Sequence, residues 1–239
     1  MEFSEESVTL PIENFHFDVG NGERVSRHGE SLPISIRAVF CGPSNCGKTN
    51  TLLALLIHPN GLRFANLYVY SKSLSQPKFE FLKQVLEPIK GMRYFTYSEH
   101  DEVVSPDQVL TNSIMIFDDI ACEKQDNVRA FFCMGRHNNV DSFYLNQSYA
   151  SIRKHLIRGN VKLLVLFKQD EMNLKYNYDD HVSTDMPFAQ FKELCSSCWS
   201  DGEKNGYGFL VIDKDRCLQN GRYRKIFDKF AKFAINLNQ

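Results

Sequence analysis

The sequence predicts an α/β fold: a central, mostly parallel sheet flanked by helices on both faces. Short β-branched and aromatic runs alternate with longer amphipathic runs, the pattern of strand–helix–strand units. Two of the short runs, residues 113–117 and 161–167, are almost wholly apolar, as parallel strands buried on both faces must be. The chain has 239 residues, 43% hydrophobic and 24% charged, which suffices to bury a core without disulfides or metal.

In order, residues 34–40 read as a strand, and a Gly-rich turn leads into a helix over 49–57 that stops near Pro59. Strands follow over 66–71 and 92–97, separated by a helix over 77–86 with Pro77 suited to its first turn. The strand over 113–117 precedes a helix over 123–134, a strand over 140–145 and a short helix over 151–158. The strand over 161–167, a helix over 187–199 and a strand over 207–212 complete the series. Residues 1–30 are polar and Gly-containing and read as an amino-terminal arm; residues 31–239 read as one domain.

Charge and cysteine content narrow the function classes. Lys and Arg number 28 against 29 Asp and Glu, a net charge of -1, so the chain does not coat nucleic acid by bulk charge. Its 7 Cys are scattered, unlike a secreted disulfide scaffold. The start, Met1-Glu2-Phe3-Ser4-Glu5-Glu6, is acidic where a signal peptide is basic, and no apolar run is long enough to span a bilayer. The expectation is a reduced, intracellular, soluble protein, not an integral membrane protein.

One motif is complete. Gly42-Pro43-Ser44-Asn45-Cys46-Gly47-Lys48-Thr49 matches the phosphate-loop pattern Gly-x4-Gly-Lys-Ser/Thr between a predicted strand and a predicted helix. Glycines let backbone N–H groups turn inward around a phosphate, at a helix amino terminus whose dipole favours anions. The nucleotide-binding stretch is read as Gly42 to Asn50. Lys48 is expected on the β- and γ-phosphate oxygens of ATP, and Thr49 on Mg²⁺.

A second element should be an apolar strand ending in Asp, and Ile114-Met115-Ile116-Phe117-Asp118-Asp119 fits. Asp118 is expected to hold Mg²⁺, and Asp119 to polarise the attacking water. The long stretch between Lys48 and Asp118 suits a sheet with an extra strand between the phosphate-loop and Asp strands. Gln147 ends the run 140–147, where its amide would reach the γ-phosphate or the water. Arg136 and Arg158 are both candidates for an arginine that reaches the nucleotide of a neighbouring subunit, or for solvated or DNA-facing positions.

Together these residues resemble the FtsK–HerA superfamily of P-loop ATPases, and more closely the small genome-packaging ATPases of double-stranded DNA viruses of poxvirus, virophage and Polinton type. The resemblance spans roughly residues 34–227. It rests on Phe40 to Thr49, on Ile116-Phe117-Asp118-Asp119, on Gly135-Arg136-His137-Asn138 and on Gln147-Ser148-Tyr149. Ile157-Arg158-Gly159-Asn160, Leu166-Phe167-Lys168, residues 208–213 and Tyr223-Arg224-Lys225 extend it. Arg153 departs from the pattern, since relatives tend to carry Pro there, and many carry Asp-Glu rather than Asp118-Asp119. The resemblance implies an ATP-driven motor: a homo-oligomeric ring, expected as a hexamer, that moves double-stranded DNA into a capsid. Capsid or portal proteins, and a nuclease, would be its partners, in host cytoplasm or viral factory or with the virion.

Other readings compete. Lys168-Gln169-Asp170 half-matches a guanine-reading motif, but Phe167 stands where Asn is required. A nucleotide kinase would use the basic segment from Arg153 as a lid, while Asp119 and Gln147 favour attack by water. A non-catalytic ATP-binding assembly scaffold would have no use for Asp119. Cys195 and Cys198 have zinc-ligand spacing but share a helix face with Phe191 and Leu194, which favours buried apolar thiols. The basic, aromatic tail Arg222, Tyr223, Arg224, Lys225, Lys229 and Lys232 reads either as a DNA contact or as a solvated face.

Overall fold

Alternation along each central strand sends successive apolar side chains to opposite faces, and helices cover both (computed structural model; residues 27–120, 125–155, 157–200 and 207–233 are described). The strands are β1 (Arg37–Cys41), β2 (Asn66–Ser71), β3 (Arg93–Tyr97), β4 (Ser113–Asp118), β5 (Val140–Asn146), β6 (Leu163–Leu166), β7 (Leu210–Asp213), β8 (Tyr223–Lys225) and β9 (Lys229–Phe230). They form one sheet in the order β3-β2-β4-β5-β1-β6-β7-β8-β9. The first six positions are parallel, and β7, β8 and β9 continue antiparallel. The expected α/β architecture with a mostly parallel sheet is therefore present.

The helices are α1 (Lys48–Ile57), α2 (Pro77–Leu86), α3 (Asp126–Met134), α4 (Glu171–His181) and α5 (Phe188–Ser200). On one face, Leu52, Leu53 and Leu56 of α1 and Phe79, Leu82 and Leu86 of α2 pack on Ala38, Phe40, Ile114, Ile116, Phe143 and Val165. On the other, Val128, Phe131 and Phe132 of α3, Leu174 of α4 and Phe191 and Cys195 of α5 pack on Val39, Met115, Phe117, Tyr144 and Leu164. At about 1.5–3 kcal/mol for each large apolar side chain fully buried, these two layers supply the main driving force for the fold.

Four differences from the sequence reading have local causes. The first strand starts at Arg37 rather than Ile34, because the Ile36 N–H donates to the Asp141 Oδ1 carboxylate at 2.7 Å and Ile34 faces solvent. In place of a helix over 151–158, the described residues form two 3-10 turns, Tyr149–Ser151 and Arg158–Asn160. Ser151 there turns its hydroxyl back onto Ser148 O (2.8 Å), a local bond that competes with helix. Helix α4 has no counterpart among the expected elements: its inward face carries Asn173, Asn177 and His181 beside Leu174, so it lacks an apolar stripe. Strands β8 and β9 are too short and too basic to show a strand pattern. Residues 123 and 124 of the expected third helix, and residues 1–26 of the expected arm, lie outside the described residues.

Arg27 and His28 are anchored at the amino end of β5. His28 Nε2 donates to Asp141 Oδ2 (2.9 Å), while His28 Nδ1 accepts the Arg63 N–H (3.1 Å). Arg27 Nη1 lies 3.2 Å from the same carboxylate, which is fully buried. Asp141→Ala would strand these buried donors. It is expected to lower unfolding free energy by about 3 kcal/mol in urea titrations, with Asp141→Asn losing less.

Candidate active site

Strand β1 delivers Gly42 to the carboxyl edge of the sheet, where Gly42 N donates to Asn146 O of β5 (3.2 Å). A side chain at Gly42 would meet Phe167 Cβ at 2.6 Å and Cys46 Sγ at 2.7 Å, so close approach forces glycine. Gly47 is the N-cap of α1 with φ 104, a left-handed conformation open to glycine. No side chain caps α1 and its first turn carries no acid, which leaves its N–H groups and dipole directed at the loop. Lys48 Nζ donates to Gly42 O (2.6 Å) and Pro43 O (2.8 Å), drawing its charge across the loop.

The strand order places β5 between β1 and β4, so an extra strand stands there as expected, while the residues between Lys48 and Asp118 supply β2 and β3 on the far side of β4. Cys41 pairs with Asn146 and Asp118 with Leu145, so the residues after each strand emerge side by side. One cavity of about 140 Å³ is lined by Ser44, Asn45, Gly47, Lys48 and Thr49 together with Asp118, Asp119 and Gln147. Five loop residues, both acids and the glutamine thus come together.

Asp118 is 6% exposed, and burial pushes its carboxyl up to about 6, with Asp119 adding to the rise and Lys48 and Lys78 opposing it. A buried carboxylate with incomplete compensation, beside the Thr49 hydroxyl, has the oxygen chemistry that a hard divalent cation takes. Asp119 has φ 55, an uncommon conformation for a residue other than glycine, which swings its carboxylate out of the strand. Ser73 Oγ donates to Asp119 Oδ2 at 3.0 Å, and Ser71 Oγ accepts the Ser73 N–H at 3.1 Å.

Gln147 is exposed on a turn whose neighbours are fixed. Asn146 Oδ1 accepts the Ser148 N–H and the Ser151 hydroxyl (both 3.2 Å), and Asn173 Oδ1 of α4 accepts Ser148 Oγ (3.0 Å) and the Ala150 N–H (2.8 Å). The amide is therefore the side chain of this turn left facing the cavity.

The two arginines are not brought to this cavity. Arg136 is exposed in the 3-10 turn Gly135–Asn138, which precedes β5 at the amino edge of the sheet. The seven residues of β5 separate that edge from Gln147 by roughly 20 Å. Arg158 precedes β6 on the same edge, 11% exposed, with Nη1 on Asp180 Oδ2 (2.8 Å) and its guanidinium over Tyr149.

Three further residues at the cavity were not read from the sequence: Gln76 and Lys78, from the start of α2, and Ser73 behind Asp119. Gln76-Pro77 signals a helix start but not which site the helix start faces. Asp170 of the half-matched guanine motif accepts the Asn173 N–H (2.8 Å) as N-cap of α4. Arg153 of the supposed lid lies 3.3 Å from Asp126. Cys195 and Cys198 lie in the apolar core. The basic tail does not present one outward face: Tyr223 and Arg224 are buried, and Arg222 pairs with Asp185. Lys229 and Lys232 remain exposed. No helix among the described residues is long and apolar enough to cross a membrane.

No family model and no curated protein matches the sequence. Solved structures match in fold. The genome packaging NTPase B204 from Sulfolobus turreted icosahedral virus 2, in complex with sulfate, superposes with TM-score 0.50 at 13% identity, over 76% of this chain and 92% of that one. Its complex with AMPPCP gives TM-score 0.50 at 12% identity, over 77% and 95%. The chain thus has the P-loop NTPase fold.

The shift of Asp118 has a thermodynamic sign. Its folded pKa of about 6 lies above the unfolded value of about 3.9, so between them the folded chain holds a proton the unfolded chain has lost. Metal-free stability is expected to fall as pH rises from about 4 to about 6 and then to level off. Asp118→Asn should remove that slope and raise metal-free stability above pH 6 by about 3 kcal/mol, read as a shift in denaturant midpoint across a pH series.

Proposed function

We propose that this protein is a Mg²⁺-dependent ATPase that translocates double-stranded DNA, and that the DNA it moves is a viral genome entering a capsid. The observation that carries the reading is the gathering of a complete phosphate loop, two consecutive strand-end acids and Gln147 around one cavity. In this reading the loop N–H groups and Lys48 hold the phosphates, while Thr49 and Asp118 hold Mg²⁺, which would neutralise charge on the β- and γ-phosphates. Asp119, aimed by Ser73, takes a proton from water, and Gln147 orients that water or senses the γ-phosphate.

Packaging draws its support from the fold shared with a genome packaging NTPase and from the order of motifs along the chain. A ring, expected as a hexamer, fits an arginine supplied by a neighbour. Arg136 is exposed, whereas Arg158 is already engaged by Asp180 and Tyr149, which favours Arg136 for that part. DNA contact would come from modest charge per subunit multiplied around the ring, with capsid or portal proteins and a nuclease as further partners.

Hydrolysis of ATP by the purified protein, with and without long double-stranded DNA, tests this directly. Turnover is expected to rise with DNA, and to drop about 10²–10⁴-fold in Asp119→Asn with ATP still bound. Lys48→Ala should lose binding as well. Tight ATP binding without turnover, at concentrations where a ring forms, would replace the motor with a non-catalytic scaffold. Ser73→Ala addresses the aiming of Asp119: turnover should fall by about tenfold with the ATP dissociation constant unchanged, because a misplaced base costs rate rather than affinity. An equal loss of affinity would show that Ser73 supports the loop and not the base.

A further inference from the structure

The phosphate cavity is polar and, at about 140 Å³, too small for a whole nucleotide. The nucleoside end must lie elsewhere, within reach of the first turn of α1. A second cavity of about 630 Å³ opens beside that turn, and α1 forms the wall between the two: Lys48 and Thr49 face the first, Asn50 and Thr51 the second. We propose that this second cavity takes the nucleoside of the bound nucleotide, with Tyr207 stacking on the base and the Ile226–Asp228 turn covering it. The proposal rests on the ATP reading above and assigns the part of the site that the motifs leave open.

Tyr207 is the first observation. It is an aromatic residue left 46% exposed, yet it is fixed rather than loose. One face of its ring lies against Gly47, where an added Cβ would sit 2.2 Å from Cδ1, 2.4 Å from Cγ and 2.7 Å from Cε1. Its hydroxyl is 2.5 Å from Asn50 Nδ2, and Asn50 directly follows the Lys48-Thr49 pair. A ring seated by one face on the phosphate loop, and still about half exposed where it lines a cavity, is preorganised to stack a base on its other face.

The backbone at Ile226 is the second. Ile226 has φ 51, an outlier for a β-branched residue, and such strain concentrates at ligand clamps. The Ile226 N–H donates to Phe209 O (3.0 Å), and the Phe209 ring lies 5.5 Å from Phe227 and 5.2 Å from Phe167. These tilted and edge-to-face ring contacts anchor the turn, which lines the cavity with Asp228. The lining mixes apolar side chains, Leu32, Leu55, Phe209 and Phe227 among them, with polar ones such as Asn50, His58 and Asp228, which suits a flat ring with polar edges. The competing place is the groove of Leu53, Ile57, Pro77 and Phe81 between α1 and α2. It also touches Asn50, but among its lining residues no aromatic ring packs on the phosphate loop.

Two measurements decide it. Photolabelling of the unmodified protein with 8-azido-ATP, followed by peptide mapping, is expected to mark residues 207–209 or 226–228, with excess ATP suppressing the label. Label on Ile57, Pro77 or Phe81, or ATP-suppressible label on any other segment, would overturn the assignment. Dissociation constants for ATP and for inorganic tripolyphosphate are then compared across wild type, Tyr207→Ala and Tyr207→Phe. Tyr207→Ala should weaken ATP about ten- to a hundredfold and leave tripolyphosphate unchanged, with Tyr207→Phe close to wild type because the stacking face survives. Unchanged ATP affinity in Tyr207→Ala would sink the base subsite while leaving the phosphate loop intact, and equal losses for both ligands would sink it by showing that Tyr207 supports the loop. Wild type binding neither ligand would instead overturn the ATP reading itself.

Discussion

A parallel sheet ends its forward strands at one edge, and the site depends on that constraint. Cys41, Asn146 and Asp118 terminate β1, β5 and β4 within one residue of register. The residues just past each strand are therefore delivered to the same place: the phosphate loop from β1, Gln147 from β5, Asp119 from β4. The insertion of β5 matters chemically. It holds the phosphate-binding strand and the acid-bearing strand two positions apart, about 10 Å at ordinary strand spacing, and fills the gap with a neutral amide.

The charges at this edge are set against one another. Backbone N–H groups, Lys48 and Lys78 favour anions, while Asp118 and Asp119 oppose them. Asp118 bears the cost, held in a buried position that favours its neutral form. Asp119 bears a conformational one, with a left-handed backbone secured by Ser73. Both departures from the comfortable state sit where a cation and a water would be handled, and nothing in the packing of the two apolar layers requires either. They are features of the site, tolerated because the buried sheet overdetermines its own geometry.

How much of this was legible depends on how far apart the interacting residues lie in sequence. The phosphate loop and the Asp118-Asp119 pair are contiguous motifs whose chemistry is local. Gln147 was readable because it ends a recognisable strand. The spacing between loop and acids suits an inserted strand but does not identify it, since β5 follows Asp118 in sequence. Arg158 could not be placed because its partner, Asp180, lies in α4, and α4 is invisible to hydrophobic periodicity: its buried face is Asn173, Asn177 and His181. The basic tail, read as either a DNA contact or a solvated face, has three residues with partners inside the fold that no local pattern announces. Asp185 takes up Arg222 and also accepts the Tyr223 hydroxyl, while Arg224 turns back to Ser31 O and Gly221 O. Lys78 and Tyr207 reach the site from elements whose sequences announce structure but no destination.

Helix α4 shows why a polar face can be worth burying. Near its start, Asn173 braces the turn that carries Gln147; near its end, Asp180 accepts the Tyr149 hydroxyl (3.1 Å), and His181 Nε2–H donates to the same oxygen at 2.6 Å, the tautomer set by Lys214 on Nδ1. Burial and the neighbouring Lys214 push His181 down to about 3, so it stays neutral and its ring nitrogens serve as fixed partners for Tyr149 and Lys214. Arg158 closes the cluster on Asp180. Most of these buried groups are partnered in this one arrangement, with Arg158 Nε and Asn177 Oδ1 left over, and each group that lost its partner would incur a desolvation penalty with nothing in return. An apolar helix would pack as tightly but would tolerate sliding. A helix bonded at both ends to the Gln147–Tyr149 turn does not, and the position of Gln147 beside the phosphate loop is thereby tied to the antiparallel edge of the sheet, where Lys214 comes directly after β7.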